Sequence, residues 1–116
     1  MNSLTVDIHS IRAQKVKVTV DELIVELSDG RTIAIPLAWY PRLMYATKRE
    51  RNRWELIANG VGIHWHDIDE DISVEGIILG KPSYESQHSF SEWLKKRNKP
   101  SNRKKKLLTR ALALQE

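Results

Sequence analysis

The residues best equipped for chemistry lie together in the middle of the chain: His64, His66, Asp67, Asp69 and Asp71. On an extended strand His64 and His66 would point to one face, and their imidazoles could share a transition-metal ion. Asp67, Asp69 and Asp71 also occupy the first three ligand offsets of a calcium loop. That loop needs glycine at its sixth position and an acid at its twelfth; here those positions are Ile72 and Ile78, so calcium is excluded. Simpler roles account for the set: Asp67 or Asp69 caps a following helix, and His64 sits beside a core Trp65. No metal ligand and no cofactor is assigned on this reading.

Nucleophilic and phosphate-binding chemistry finds less support. The serines fall in turns or at helix caps, where local hydrogen bonding explains them. Gly60 and Gly62 resemble a fragment of a phosphate loop, but no Lys-Ser/Thr pair follows. Asp69 and Asp71 are two residues apart at an expected helix start, which does not aim both at one substrate. No catalytic residue is assigned, and an enzyme is not expected.

The charged segments are more suggestive. Lys48 to Arg53 carries four basic residues and one acid, a solvated helix face or a phosphate-contacting patch. Residues 1–80 hold nine Lys/Arg and twelve Asp/Glu, a balance of −3, whereas residues 81–116 hold ten and three, a balance of +7. Arg103, Lys104, Lys105 and Lys106 would occupy the first turn of a terminal helix whose apolar face is Leu107, Leu108, Ala111, Leu112 and Leu114. Positive charge at a helix N-terminus opposes the macrodipole by roughly 0.3–1 kcal/mol per exposed charge. An anionic partner there reverses the sign.

The elements that must carry these residues read as follows. Lys15 to Val20 alternates with period two, Leu23 to Leu27 follows, and Thr32 to Ile35 closes at Pro36: three strands of an antiparallel meander. Asp29-Gly30 between the second and third strands favours a two-residue hairpin turn. Leu37, Tyr40, Leu43 and Met44 have helical spacing, with Pro41 in the first turn. Lys48 to Arg53 is an exposed helix end or a second short helix, and Trp54, Leu56 and Ile57 return to the core as a short strand. Ile63 to Trp65 is a further short strand, and Asp67 to Leu79 is expected as a helix stopped by Gly80. Ser89 and Glu92 make a capping-box pattern for a helix ending near Pro100, and Ser101-Asn102 could cap the terminal helix. The fold class is α+β, with a compact domain over residues 1–84 and a helical extension with a basic tail over 85–116.

Composition agrees with one folded unit. The chain has 116 residues, 41% hydrophobic and 29% charged, with a net charge of +4. It has no cysteine, which excludes disulfides, thiolate metal sites and a thiol nucleophile. No apolar run approaches the ~20 residues that span a bilayer, and the first residues lack the regions of a signal peptide, so a cytoplasmic location is expected.

Ser28-Asp29-Gly30-Arg31, Tyr40-Pro41-Arg42-Leu43 and Ile63-His64-Trp65 leading into Ile68 through Gly80 follow one another in characteristic order and spacing. In these residues, over roughly positions 12–84, the chain resembles the domain of unknown function 2442, a small prokaryotic family. The resemblance implies a compact α+β domain, in some members fused to a helix-turn-helix DNA-binding domain and in others encoded beside small toxin-like proteins. It carries over no catalytic residues. Trp65-His66 stands where relatives commonly have Trp-Pro, and the tail lies outside the match.

Two functional expectations follow. The first is a non-enzymatic protein-interaction or regulatory module, antitoxin-like, that binds a partner protein such as a small toxin through Leu107, Leu108, Ala111 and Leu112. The second is a nucleic-acid binder contacting phosphates through Arg97, Lys99, Arg103, Lys104, Lys105 and Lys106.

Overall fold

The computed structural model of the chain describes residues 7–98. The chain divides into two compact units, Met1–Tyr84 and Glu85–Glu116. The first unit is α+β and holds two three-stranded antiparallel sheets, β1-β2-β3 and β4-β5-β6.

The first sheet is the expected meander. β1 (Ala13–Val18), β2 (Glu22–Leu27) and β3 (Thr32–Pro36) pair in sequence order. Alternation sends Ala13, Val16, Leu23, Val25, Leu27 and Ile35 into the core, while Lys15, Lys17, Glu26 and Thr32 face outward. The pairing shifts by one residue between Ala13 and Lys15, a bulge that leaves Gln14 without an opposite number.

The β2–β3 turn differs from the expected two-residue loop. Gly30 N donates to Leu27 O at 3.1 Å and Leu27 N donates to Arg31 O at 2.8 Å, so Ser28, Asp29 and Gly30 all lie in the loop. Only Gly30 has positive φ, +93°, whereas a two-residue type I′ turn needs it at both central positions. Asp29 instead turns its carboxylate onto Arg31, accepting from its backbone N at 3.1 Å and from Nε at 2.7 Å. The Arg31 backbone N–H is the main cause holding the Asp29 carboxyl below its ordinary pKa.

The helix expected from Leu37 onward is broken before Pro41, and the basic segment after it takes the second of its two expected forms, a short helix of its own. A 3-10 turn (Leu37–Trp39) is followed by the one-turn helix α1 (Pro41–Met44), with Pro41 in the first turn, and then by α2 (Lys48–Asn52). Thr47 divides them. Its hydroxyl accepts from Glu50 N at 3.1 Å while Glu50 returns a carboxylate to Thr47 N at 2.8 Å, a capping box that restarts the helix.

The second sheet is where expectation and structure part. β4 (Trp54–Ile57) and β5 (Gly62–Trp65) are the two anticipated short strands, although Ile57 faces outward. The helix expected over Asp67 to Leu79 is a 3-10 turn (His66–Ile68), a third strand β6 (Glu70–Ser73), and only then α3 (Val74–Ile78). Asp69 lies in the left-handed region at φ +50°, which stops helical propagation. The cap of α3 is Ser73, whose hydroxyl accepts from Gly76 N at 2.9 Å, and neither Asp67 nor Asp69. Ile63 and Trp65 of β5 and Ile72 of β6 bury one face of this sheet.

A left-handed turn joins β4 to β5. Ala58, Asn59 and Gly60 have φ of +50°, +58° and +92° in succession. Gly60 is buried against β1, and a Cβ there would meet the carbonyl oxygen of Ala13 well inside contact distance and Arg12 Cβ at 3.1 Å. The two sheets therefore touch through a glycine.

In the second unit, α4 (Gln87–Asn98) begins earlier than the Ser89 pattern implies. Ser86 caps it, its hydroxyl accepting from Ser89 N at 3.0 Å, while Ser89 Oγ donates to Glu85 at 2.9 Å. The terminal helix expected after Ser101 lies outside the described residues.

Gly60→Ala is expected to destabilise the chain by about 1–3 kcal/mol, since strained φ and steric conflict act together. Gly30→Ala, also at positive φ but in open space, should cost less. Urea unfolding of both variants checks the order.

Candidate functional site

The outer face of the second sheet gathers the chemistry-bearing side chains. Register sets Glu55 opposite His64 and His64 opposite Asp71, so one row of titratable groups crosses all three strands. Their neighbours in sequence, Leu56, Ile63 and Ile72, point the other way, which fixes the row outward. His64 Nδ1 is hydrogen-bonded to the Asp71 carboxylate. That bond, opposed by partial desolvation and helped by the charges of Asp71, Glu55 and Asp69, raises the His64 pKa above its ordinary 6.5.

His66, the first residue of the 3-10 turn after β5, lies with its ring centre 6.1 Å from that of His64, edge to face at 65°. A shallow open depression beside it is lined by Arg53, Trp54, Glu55 and His66. Arg53 pairs with Asp67 at 3.4 Å. The five residues singled out by spacing thus separate: His64 joins Asp71, Asp67 joins Arg53, and Asp69 forms the left-handed corner. Among the described residues no group of three or more His, Cys, Asp or Glu is arranged to hold a metal ion.

The basic segment Lys48 to Arg53 is not a uniform cationic face. Arg51 turns inward and donates to four backbone carbonyls: Met44 at 2.7 Å, Leu43 at 2.9 Å, Thr19 at 3.3 Å and Val20 at 3.4 Å. The Trp65 indole donates to the Arg51 carbonyl at 3.0 Å. Lys48 and Arg49 are exposed. Sequence reading missed the inward role of Arg51, because nothing in a run of basic residues marks which one finds carbonyls to cap.

The Tyr40-Pro41-Arg42-Leu43 motif docks beside the start of β6. Arg42 Nη1 donates to Ile68 O at 3.0 Å and to Asp69 O at 3.4 Å, bracing the left-handed corner. Tyr40 is 3% exposed, and its hydroxyl has no hydrogen-bond partner among the described residues. Burial, aided by the Glu70 carboxylate, pushes its pKa up to about 12.

On α4, Phe90 and Trp93 stack with ring centres 5.7 Å apart and planes at 24°, and the Arg97 guanidinium lies 4.7 Å from the Trp93 ring centre. Arg97 is the one expected binding residue that is described. Lys99, Arg103, Lys104, Lys105, Lys106, Leu107, Leu108, Ala111 and Leu112 lie outside the described residues.

The fold and this surface define a small α+β domain bearing a polar sheet face. The family model described as "Protein of unknown function (DUF2442)" matches residues 13–83, and the chain belongs to this family. A crystal structure of a protein of unknown function from Rhodospirillum rubrum ATCC 11170 is similar at 28% sequence identity and a TM-score of 0.59. The match covers 67% of this chain and 96% of that one. No curated protein matches the chain.

Two measurements probe the site. Tyr40→Phe should leave stability unchanged or raise it by up to about 1 kcal/mol, because a partnerless buried hydroxyl is removed. Thermal or urea unfolding reads this, and a large loss would mean the hydroxyl has a partner. NMR titration should place the His64 midpoint above 6.5, and Asp71→Asn should bring it down. Since the folded-state pKa is raised, the pair's contribution is complete below pH 6.5 and is lost as pH rises through the folded-state value.

Proposed function

We propose that the chain is a non-enzymatic interaction or regulatory module, antitoxin-like in character, which engages a partner protein through its C-terminal extension. The observation that carries this reading is the segregation of charge and structure at residue 84. The family match ends at residue 83, the following residues form a unit of their own, and residues 81–116 carry ten basic against three acidic side chains. A domain complete in itself has no packing need for such an extension, whereas an external partner does. The half-exposed Phe90, Trp93 and Leu94 of α4 give that extension apolar anchors at helical spacing beside Lys95, Lys96 and Arg97. No helix among the described residues is long and apolar enough to cross a membrane, and the chain lacks cysteine, which together favour a cytoplasmic setting.

A second reading, nucleic-acid binding, is favoured by the Arg97–Trp93 stack next to the basic run, since aromatic rings and cations together suit bases and phosphates. The experiment compares the full chain with a form ending at Tyr84. That shorter form should fold, because the Rhodospirillum rubrum chain is matched over 96% of its length by two-thirds of this one. In its native host the full chain should co-purify a single protein in fixed stoichiometry, and the shorter form should lose it while keeping its circular dichroism. Recovery of no protein by either form counts against the first reading. Salt-sensitive binding of duplex or single-stranded oligonucleotides, with a slope near −0.9 per neutralised phosphate on duplex DNA, would move the assignment to the second.

A further inference from the structure

We propose that β3 is an interaction edge for a second copy of this chain. Two molecules join their β3 strands antiparallel about a two-fold axis at Ile33, so that two three-stranded sheets become one continuous sheet. This surface lies in the first unit and does not depend on the role proposed for the C-terminal extension.

The hydrogen-bond ladder shows what the edge offers. β3 is the last strand of its sheet and pairs with β2 on one side. Leu27 N donates to Arg31 O and Leu37 N donates to Asp21 O, so the residues bonded to β2 alternate: Ile33 with Val25, and Ile35 with Leu23. Thr32 and Ala34 between them turn their backbone N–H and C=O groups away from β2, and both residues are exposed. Rotation about Ile33 sets Thr32 opposite Ala34 of the second copy. Each donor then finds an acceptor, and Pro36, which has no N–H to give, stays outside the ladder.

Side chains favour a like neighbour at this edge. Ile33 shares the core face with Val25 and Ile35, which are 0% and 4% exposed, yet Ile33 itself is only partly covered. At the axis it meets its counterpart as a close, non-hydrogen-bonded pair, and each isoleucine covers the other. Thr32 through Pro36 carry no charge. The other edges are blunted: β1 by its bulge and by Lys15 and Lys17, β6 by Glu70 and Asp71, and β4 by Glu55 and by the packing of its turn on β1. Charge is compatible with the joined sheet as well. The Glu22 and Glu26 carboxylates of the two copies would stand on strands three spacings apart, about 14 Å, beyond the ~8 Å screening length of physiological salt.

Sedimentation equilibrium of the full chain between about 1 µM and 1 mM tests the pairing. The mean mass should climb from 13.5 kDa toward twice that value. The rise should depend on concentration, because a five-residue strand buries far less than the ~800 Å² per partner of a standard interface. Ala34→Pro removes an outward N–H from each copy without touching a bond to β2, and should weaken association about 10–100-fold. The chain has no cysteine, so single-cysteine variants locate the axis. Ile33→Cys places two thiols on Cα atoms about 4.5 Å apart, and oxidised glutathione should link the copies; Thr32→Cys, whose counterpart lies beyond ~7 Å, should not link. This crosslink decides the matter where Ala34→Pro does not fold. A monomer at every concentration overturns the proposal and leaves the edge to a foreign strand. A dimer that Ala34→Pro leaves intact, or that Thr32→Cys links as readily as Ile33→Cys, overturns it by placing the contact elsewhere, the C-terminal extension included.

Discussion

One side chain holds the first unit's separate pieces in register. Arg51 is the single cation on which the carbonyls of Thr19 and Val20 in the β1–β2 turn and of Leu43 and Met44 at the end of α1 converge. Its own carbonyl receives the indole of Trp65, so the same residue ties in β5. A one-turn helix cannot satisfy its C-terminal carbonyls internally, and a planar guanidinium with five donors can do so for several at once. Trp65 is fully buried. At about 25 cal/mol per Å² over roughly 150–250 Å², such a ring contributes on the order of 4–6 kcal/mol as an upper figure. Anchoring the indole N–H on Arg51 removes the penalty that its burial would otherwise carry.

The second sheet depends on backbone that most residues resist. Its two connections pass through the left-handed region, at Ala58 to Gly60 and at Asp69. Both corners are braced from outside: the first lies against β1 at Ala13, and the second is held by the Arg42 guanidinium on Ile68 and Asp69. This bracing permits three strands of four residues each, short enough that none would persist alone. It also sets the outer row of Glu55, His64 and Asp71, since a one-residue slip would send that row into the core.

The two units divide labour by composition. The first engages several of its charges locally: Arg31 on Asp29, Arg53 on Asp67, Arg51 on carbonyls and His64 on Asp71. The second is strongly cationic, and an ion pair within it, the exposed Glu92–Lys95 contact at 3.4 Å, is worth little in solvent. A partner that answers this charge is the basis of the proposed interaction role.

By itself the sequence determined what depends on local pattern. Period-two alternation defined β1, β2 and β3, Pro41 and Gly80 marked a helix start and stop, and the motif spacing pointed to the family. Interactions between segments decided the rest. Ile68 and Ile72 are four apart, a helical spacing, yet Asp69 turns left-handed, and Arg42, far away in sequence, donates to its carbonyl. Glu70 to Ser73 then pairs with β5 as a strand. The fate of each basic residue between Lys48 and Arg53, and the meeting of Glu55, His64 and Asp71 in one row, were likewise invisible to local reading. Each requires knowing which distant backbone lies opposite, and only the closed fold supplies that.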